Sequence, residues 1–263
     1  MPVLAVNTIE KDAILAGMSR RLSTILSLLI CLALVPVSVP AWHPRGRDTG
    51  PWPTLPEAVG HDRLYYPAPG ETLMEVARRA GLGFSNLRRA NPELDPWRLP
   101  VGAPILLPLR VRLPDDLDSG ITIDLAGMRL WWAHRTATGW QIRWYPIGIG
   151  REGFTTPSGE FQVTTVVDHP TWFPPETMRA TEPDLPPAVP PGPDNPLGDI
   201  WIGTSAPGIG IHGTNRPFGV GRRVSHGCIR LYPEDIRDLA RRVAPGTPIR
   251  IRMDTGPDLT ARN

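Results

Sequence analysis

From Ile121 onward the chain is written with a period of two. ITIDLAGMRLWWAH alternates apolar and polar residues on either side of Ala126-Gly127, and WQIRWYPIGIG continues through Ile142, Trp144, Ile147 and Ile149. That period commits a segment to extended backbone with one buried face, while Gly and Pro clusters between runs act as turns. Thr156-Pro157-Ser158-Gly159 is such a turn and leads into a strand over Glu160 to Val167. IWIGTSAPGIGIHGT predicts two short strands about Ser205-Ala206-Pro207-Gly208, and Pro248 to Arg252 forms the last strand, with Ile249 and Ile251 on one face. One clear helix interrupts the strands between Tyr232 and Val243. Pro233 suits its first turn with Glu234 and Asp235, while Ile236, Leu239, Ala240 and Val243 form its buried face. Arg241 and Arg242 complement its negative end before Pro245-Gly246 stops it. The expected fold class is mostly β, an antiparallel β-sheet domain over 118–253 with a tail over 254–263.

A smaller unit precedes it, over 62–110. In GETLMEVARRAG, Thr72 and Glu75 have capping-box spacing, and Leu73, Val76, Ala77 and Ala80 make an apolar stripe that Gly81 ends. A second short helix is predicted from Ser85, using Leu87 and Ala90 and stopping at Asn91-Pro92. Leu64-Tyr65-Tyr66 and Ile105-Leu106-Leu107 flank the helices as two strands that can pair. Residues 42–61, rich in Pro, Gly and polar residues to Pro56, read as a linker. Residues 171–198 fit neither period: their prolines are expected to prevent sheet pairing and helix alike. Loops of such length inside a domain are usually functional or disordered, and Trp172, Phe173 and Met178 are the apolar groups a lid would use.

The N-terminal 41 residues read as a targeting segment. Arg20 and Arg21 precede an apolar run from Leu22 to Val39 and a small residue at Ala41, the order of a secretory signal, with translation expected to begin at Met18. A retained membrane anchor is the alternative; either places the rest outside the cytoplasm, in the periplasm or cell envelope. The formal charge of +2 arises from interspersed Arg, Asp and Glu, without a basic tract, so nucleic acid is not an expected partner. Cys31 belongs to the apolar run, and its removal leaves Cys228 with no intrachain partner. An unpaired thiol in an oxidising compartment points to chemistry.

Cys228 needs a base or a positive environment, because a free thiol is mostly protonated at neutral pH. His226 lies two residues away, on the same face of an extended chain, without its ring aimed at the sulfur. His212, at the end of GIGIH, can approach from a neighbouring strand, the commoner geometry for a nucleophile and its base. Gly227 permits a sharp turn, making the Gly227 and Cys228 amides candidate oxyanion donors. One thiolate and two imidazoles could also hold zinc, but no HExxH or paired CxxC accompanies them, and neither a metal nor a cofactor is expected. No lysine follows Lys11, which excludes S-x-x-K and Schiff-base chemistry beyond it.

IHGTNRPFGVGRRVSHGCIRL resembles the active-site signature of the L,D-transpeptidase catalytic domain, a family of mostly β enzymes with a cysteine nucleophile. His212-Gly213 and Ser225-His226-Gly227-Cys228 carry the likeness, which extends from about Ile121 to Arg252. Many members have Asn where this chain has Arg230; a subset shares the Arg, a departure that touches substrate choice more than chemistry. The resemblance implies Cys228 as nucleophile, His212 as base oriented by the Gly213 carbonyl, and Ser225, His226 and Arg230 around the substrate. The implied donor is a peptidoglycan tetrapeptide stem, and the implied acceptor another stem or an envelope protein's lysine. Tyr66, Gly70-Glu71-Thr72-Leu73, Val76-Ala77, Leu87, Asn91-Pro92 and Gly102 to Pro108 make the smaller unit similar to a LysM module, which implies binding to glycan strands. An L,D-carboxypeptidase of the same fold and a non-catalytic wall-binding protein are the competing readings.

Overall fold

The computed structural model describes residues 49–253. The targeting segment of 1–41, the first residues of the expected linker and the tail over 254–263 lie outside the described residues. In chain order come β1 (Thr49–Trp52), β2 (Ala58–Val59), β3 (Arg63–Tyr65), α1 (Leu73–Ala80), α2 (Phe84–Ala90), β4 (Ile105–Leu107) and β5 (Val111–Arg112). They are followed by β6 (Gly120–Asp124), β7 (Arg129–Thr136), β8 (Gly139–Pro146), β9 (Ile149–Gly150), β10 (Gly159–Asp168) and α3 (Glu176–Thr181). The last elements are β11 (Ile200–Thr204), β12 (Gly210–His212), β13 (Arg223–Ser225), β14 (Ile229–Arg230), α4 (Pro233–Ala240) and β15 (Pro248–Arg252).

Nine strands join in the order β1-β8-β7-β6-β15-β10-β11-β12-β14. The sheet is mixed, which corrects the antiparallel expectation: β15 runs parallel to β6, and β14 parallel to β12. Parallel neighbours need long crossovers, and both pairs have them: β15 returns beside the first strand of the domain, and β14 follows a loop beyond β12. The alternation places Ile121, Ile123, Leu130, Tyr145, Ile202, Ile211, Ile229, Ile249 and Ile251 in one buried cluster, joined by Ile236 and Leu239 of α4. Asp238, on the same helix, accepts a 2.7 Å hydrogen bond from Tyr145 Oη and pairs with Arg242 at 3.0 Å.

In the smaller unit, β3 pairs with β4 antiparallel, Leu64 opposite Leu106, around two helices. The capping box forms in both directions, with Glu75 N donating to Thr72 Oγ1 at 3.3 Å and Thr72 N to Glu75 Oε2 at 2.8 Å. Gly81 closes α1 at φ +63. Asn91 clips the end of α2 to β4, donating to the Leu87 and Leu106 carbonyls and accepting from Leu106 N.

Two further expectations change. The stretch read as linker holds β1, the edge strand paired with β8, and β2, paired with β5. Proline is compatible with an edge strand because one side needs no ladder donors, so the composition of Thr49–Trp52 does not forbid pairing. The proline-rich segment contains α3 and a bridge between Trp172 and Val189. Proline is tolerated in the first turn of a helix, and Pro175 stands immediately before Glu176. Asn195, fully buried, organises the rest by donating to the Pro170, Val189 and Pro190 carbonyls.

Candidate active site

The parallel pairing of β12 and β14 brings the two halves of the motif together. Ile211 lies opposite Ile229 and His212 opposite Arg230. Both isoleucines are in the core, so alternation turns His212, Arg230 and Cys228, one residue before Ile229, towards the other face. Strand spacing and rise put His212 and Cys228 diagonally about 8 Å apart at the backbone, a gap imidazole and thiol span together.

His212 is 3% exposed, and its Nδ1 lies 2.6 Å from the Gly213 carbonyl oxygen. A carbonyl only accepts, so Nδ1 carries the proton and Nε2 is left with its lone pair. Burial pushes the imidazole down to about 3, Arg230 pushes the same way, and the Gly213 and Leu197 carbonyls oppose them. Trp201, opposite His212 on β11, stacks on the ring with centroids 5.9 Å apart. The indole also covers Gly210, where a Cβ would lie 2.5 Å from Trp201 Cζ3, so glycine is required.

Cys228 is partly exposed, and its thiol donates to the Gly208 carbonyl across 3.6 Å. Burial pushes the thiol up, against the Gly210 backbone N-H and the Arg230 charge, which favour thiolate. The turn before it is held on both sides. Ser225 Oγ donates to the Cys228 carbonyl at 2.6 Å, and Thr156 Oγ1 donates to the Gly227 carbonyl at 2.7 Å while accepting from Gly150 N at 3.1 Å. Gly227 has φ +108, and a Cβ there would lie 2.9 Å from Ile209 Cδ1. Its amide, one of the two expected oxyanion donors, donates to Ser225 Oγ at 3.2 Å. That bond follows from the tight turn that glycine allows.

His226 meets the segment between β9 and β10. Its Nε2 accepts from Arg151 Nη2 at 2.7 Å, since arginine only donates, and its ring meets Phe154 edge-on at 4.5 Å. Burial and the Arg151 charge lower its pKa, while Glu182 at the end of α3 raises it. Arg230 is half-buried with no hydrogen-bond partner at Nε. Arg151, Phe154, Trp201 and Asn195 were not singled out from sequence. The one available signal was GIG beside a tryptophan-bearing strand, since alternate glycines mark a surface that another group must cover.

Among the described residues, no three His, Cys, Asp or Glu side chains gather as a metal site, so Cys228, His212 and His226 do not form the zinc arrangement weighed above.

Comparison with known proteins agrees with the signature. The family model of the YkuD L,D-transpeptidase catalytic domain matches residues 118–251. The probable L,D-transpeptidase YcfS of Escherichia coli K12 is 36% identical over 244 residues, 88% of this chain and 73% of that protein. The probable L,D-transpeptidase YbiS of the same organism is 38% identical over 218 residues, 76% of this chain and 68% of that protein. The catalytic domain of an Enterococcus faecium L,D-transpeptidase aligns over 53% of this chain and all of its own at 24% identity, with a TM-score of 0.40. On the sequence matches, the chain belongs to the YkuD family of L,D-transpeptidase catalytic domains and is an L,D-transpeptidase.

Proposed function

We propose that the protein is an envelope enzyme that remodels peptidoglycan through a thioester on Cys228. The Cys228 sulfur attacks the carbonyl on the L-centre of diaminopimelate in a tetrapeptide stem, and its proton passes to Nε2 of His212. The tetrahedral intermediate collapses to a thioester, and the departing D-alanine amine takes that proton. An incoming amine then attacks the thioester and gives a proton to His212, which passes it to the departing sulfur, leaving a new amide, a free thiol and a neutral imidazole. The Cys228 amide is the oxyanion donor, Gly227 N being directed to Ser225. Ser225 and Gly227 shape the turn, while His226 and Arg230 border the substrate.

The observation that carries the reading is the tautomer of His212: Nδ1 bonded to the Gly213 carbonyl leaves Nε2 as a base on the strand paired beside Cys228. The acceptor is another stem peptide or the lysine of an envelope protein. The smaller unit, read as LysM-like, binds the glycan strands, and the segment over 171–198 closes over the site. The N-terminal segment exports the chain to the periplasm or envelope.

Muropeptides incubated with wild type and Cys228→Ala, with and without an amine acceptor, test the reaction by mass analysis. New crosslinks that need both Cys228 and the amine are expected. Crosslinks made by Cys228→Ala refute the nucleophile. Loss of D-alanine without crosslinks, unchanged by added amine, replaces transfer with hydrolysis, and sacculus binding with neither product replaces enzyme with binding protein.

A further inference from the structure

The smaller unit touches the two chain segments that lead into and out of Cys228. On the way in, Phe84 N donates to the Val220 carbonyl at 3.4 Å, and Ser85 donates to the Gly221 carbonyl from both N, at 3.2 Å, and Oγ, at 2.5 Å. Gly221 has φ +80, and a Cβ there would overlap Phe84 N and lie 2.5 Å from Gly83 Cα. The two backbones therefore meet with no side chain between them. Arg222 lies over the Phe84 ring, 5.7 Å from its centroid. Gly221 N also donates to the Ile147 carbonyl, and Ile149 N to that of Arg222, so the segment is clamped between unit and sheet before β13 carries it to Ser225.

On the way out, Tyr232 is 3% exposed and its hydroxyl donates to the Leu82 carbonyl at 3.1 Å. Arg78 pairs with Glu234 at 3.2 Å and lies over the Tyr232 ring. A third contact joins Asn86 Nδ2 to the Gly127 carbonyl at 3.2 Å. A module that only anchors an enzyme to a wall works from a flexible tether and needs none of these contacts.

We propose that the β-α-α-β unit is a positioning element for Cys228, fixing Val220–Arg222 before it and Tyr232 after it so that the intervening turn keeps one geometry. A nucleophile must be held to within a fraction of an ångström, and residues behind the site do that work. Ser85 is the positioning residue whose loss is most local. The proposal rests on Cys228 being the nucleophile, but its first readout needs no reaction.

Hydrogen exchange is compared in the full chain for wild type, Ser85→Ala and Gly221→Ala. In Ser85→Ala, amides over 217–231 are expected to exchange about fivefold faster, the factor that one neutral hydrogen bond of about 1 kcal/mol represents, while β6 to β8 keep their rates. Gly221→Ala is expected to act on the same segment more strongly. Crosslink formation by Ser85→Ala is expected to lose kcat with KM unchanged, as misplacement of the nucleophile requires. Unchanged exchange over 217–231 in both variants overturns the proposal, as does a rise spread evenly over the whole sheet. A wild type that makes no crosslinks refutes the proposed function instead, and the exchange result still decides whether the unit braces the turn.

Discussion

Cys228 and His212 are expected to rest as an uncharged pair at neutral pH, so that the proton moves during attack rather than before it. The perturbation is pH itself. With burial, aided by Arg230, holding His212 at about 3, only about one molecule in 10⁴ carries a protonated imidazole at pH 7. Burial pushes Cys228 above its ordinary 9.0, outweighing the Gly210 N-H and the Arg230 charge. Even a thiol left at that ordinary value would be only about 1% thiolate at pH 7. The assay is alkylation by iodoacetamide in a Cys31→Ser background, where Cys228 is the single thiol, followed from about pH 6 to about pH 9 beside the ultraviolet absorbance of thiolate. The rate should climb close to tenfold per unit, without an inflection near the usual histidine value. A rate that levels off by neutrality, with thiolate absorbance already present near pH 6, would rule out the uncharged resting pair. It would mean that an imidazolium-thiolate pair exists before substrate arrives.

The same burial of His212 makes stability depend on pH. Its folded value of about 3 lies below the ordinary 6.5, so between them the unfolded chain binds more protons and stability falls as pH drops below 6.5. From pH 6.5 to pH 5 that amounts to about 1.6 kcal/mol, which urea unfolding should show in wild type and not in His212→Gln; equal losses would contradict it. Gly227→Ala forces a side chain onto φ +108 and against Ile209 Cδ1, and should lower unfolding free energy by about 1–3 kcal/mol. An unchanged melting temperature in that variant would show that the turn relaxes freely.

The sequence by itself determined the local elements and the chemical groups. Alternation located the sheet strands, the Thr72/Glu75 spacing located the start of α1, and the split pattern around His212 and Cys228 singled out the pair that β12 and β14 bring side by side. These are legible because a strand or a cap is decided by residues within a few positions of one another. Only the tertiary structure decided that β15 returns parallel to β6, that Thr49–Trp52 extends the sheet, and that the smaller unit abuts the segments flanking Cys228. It also chose the partners: Arg151 and Phe154 for His226, Trp201 for His212, and Ser225 for the Gly227 amide. Both partners of His226 lie more than seventy positions before it in the chain. Periodicity reports which face of an element is buried and carries no record of what it is buried against, so partners follow only once the core has set the register between strands.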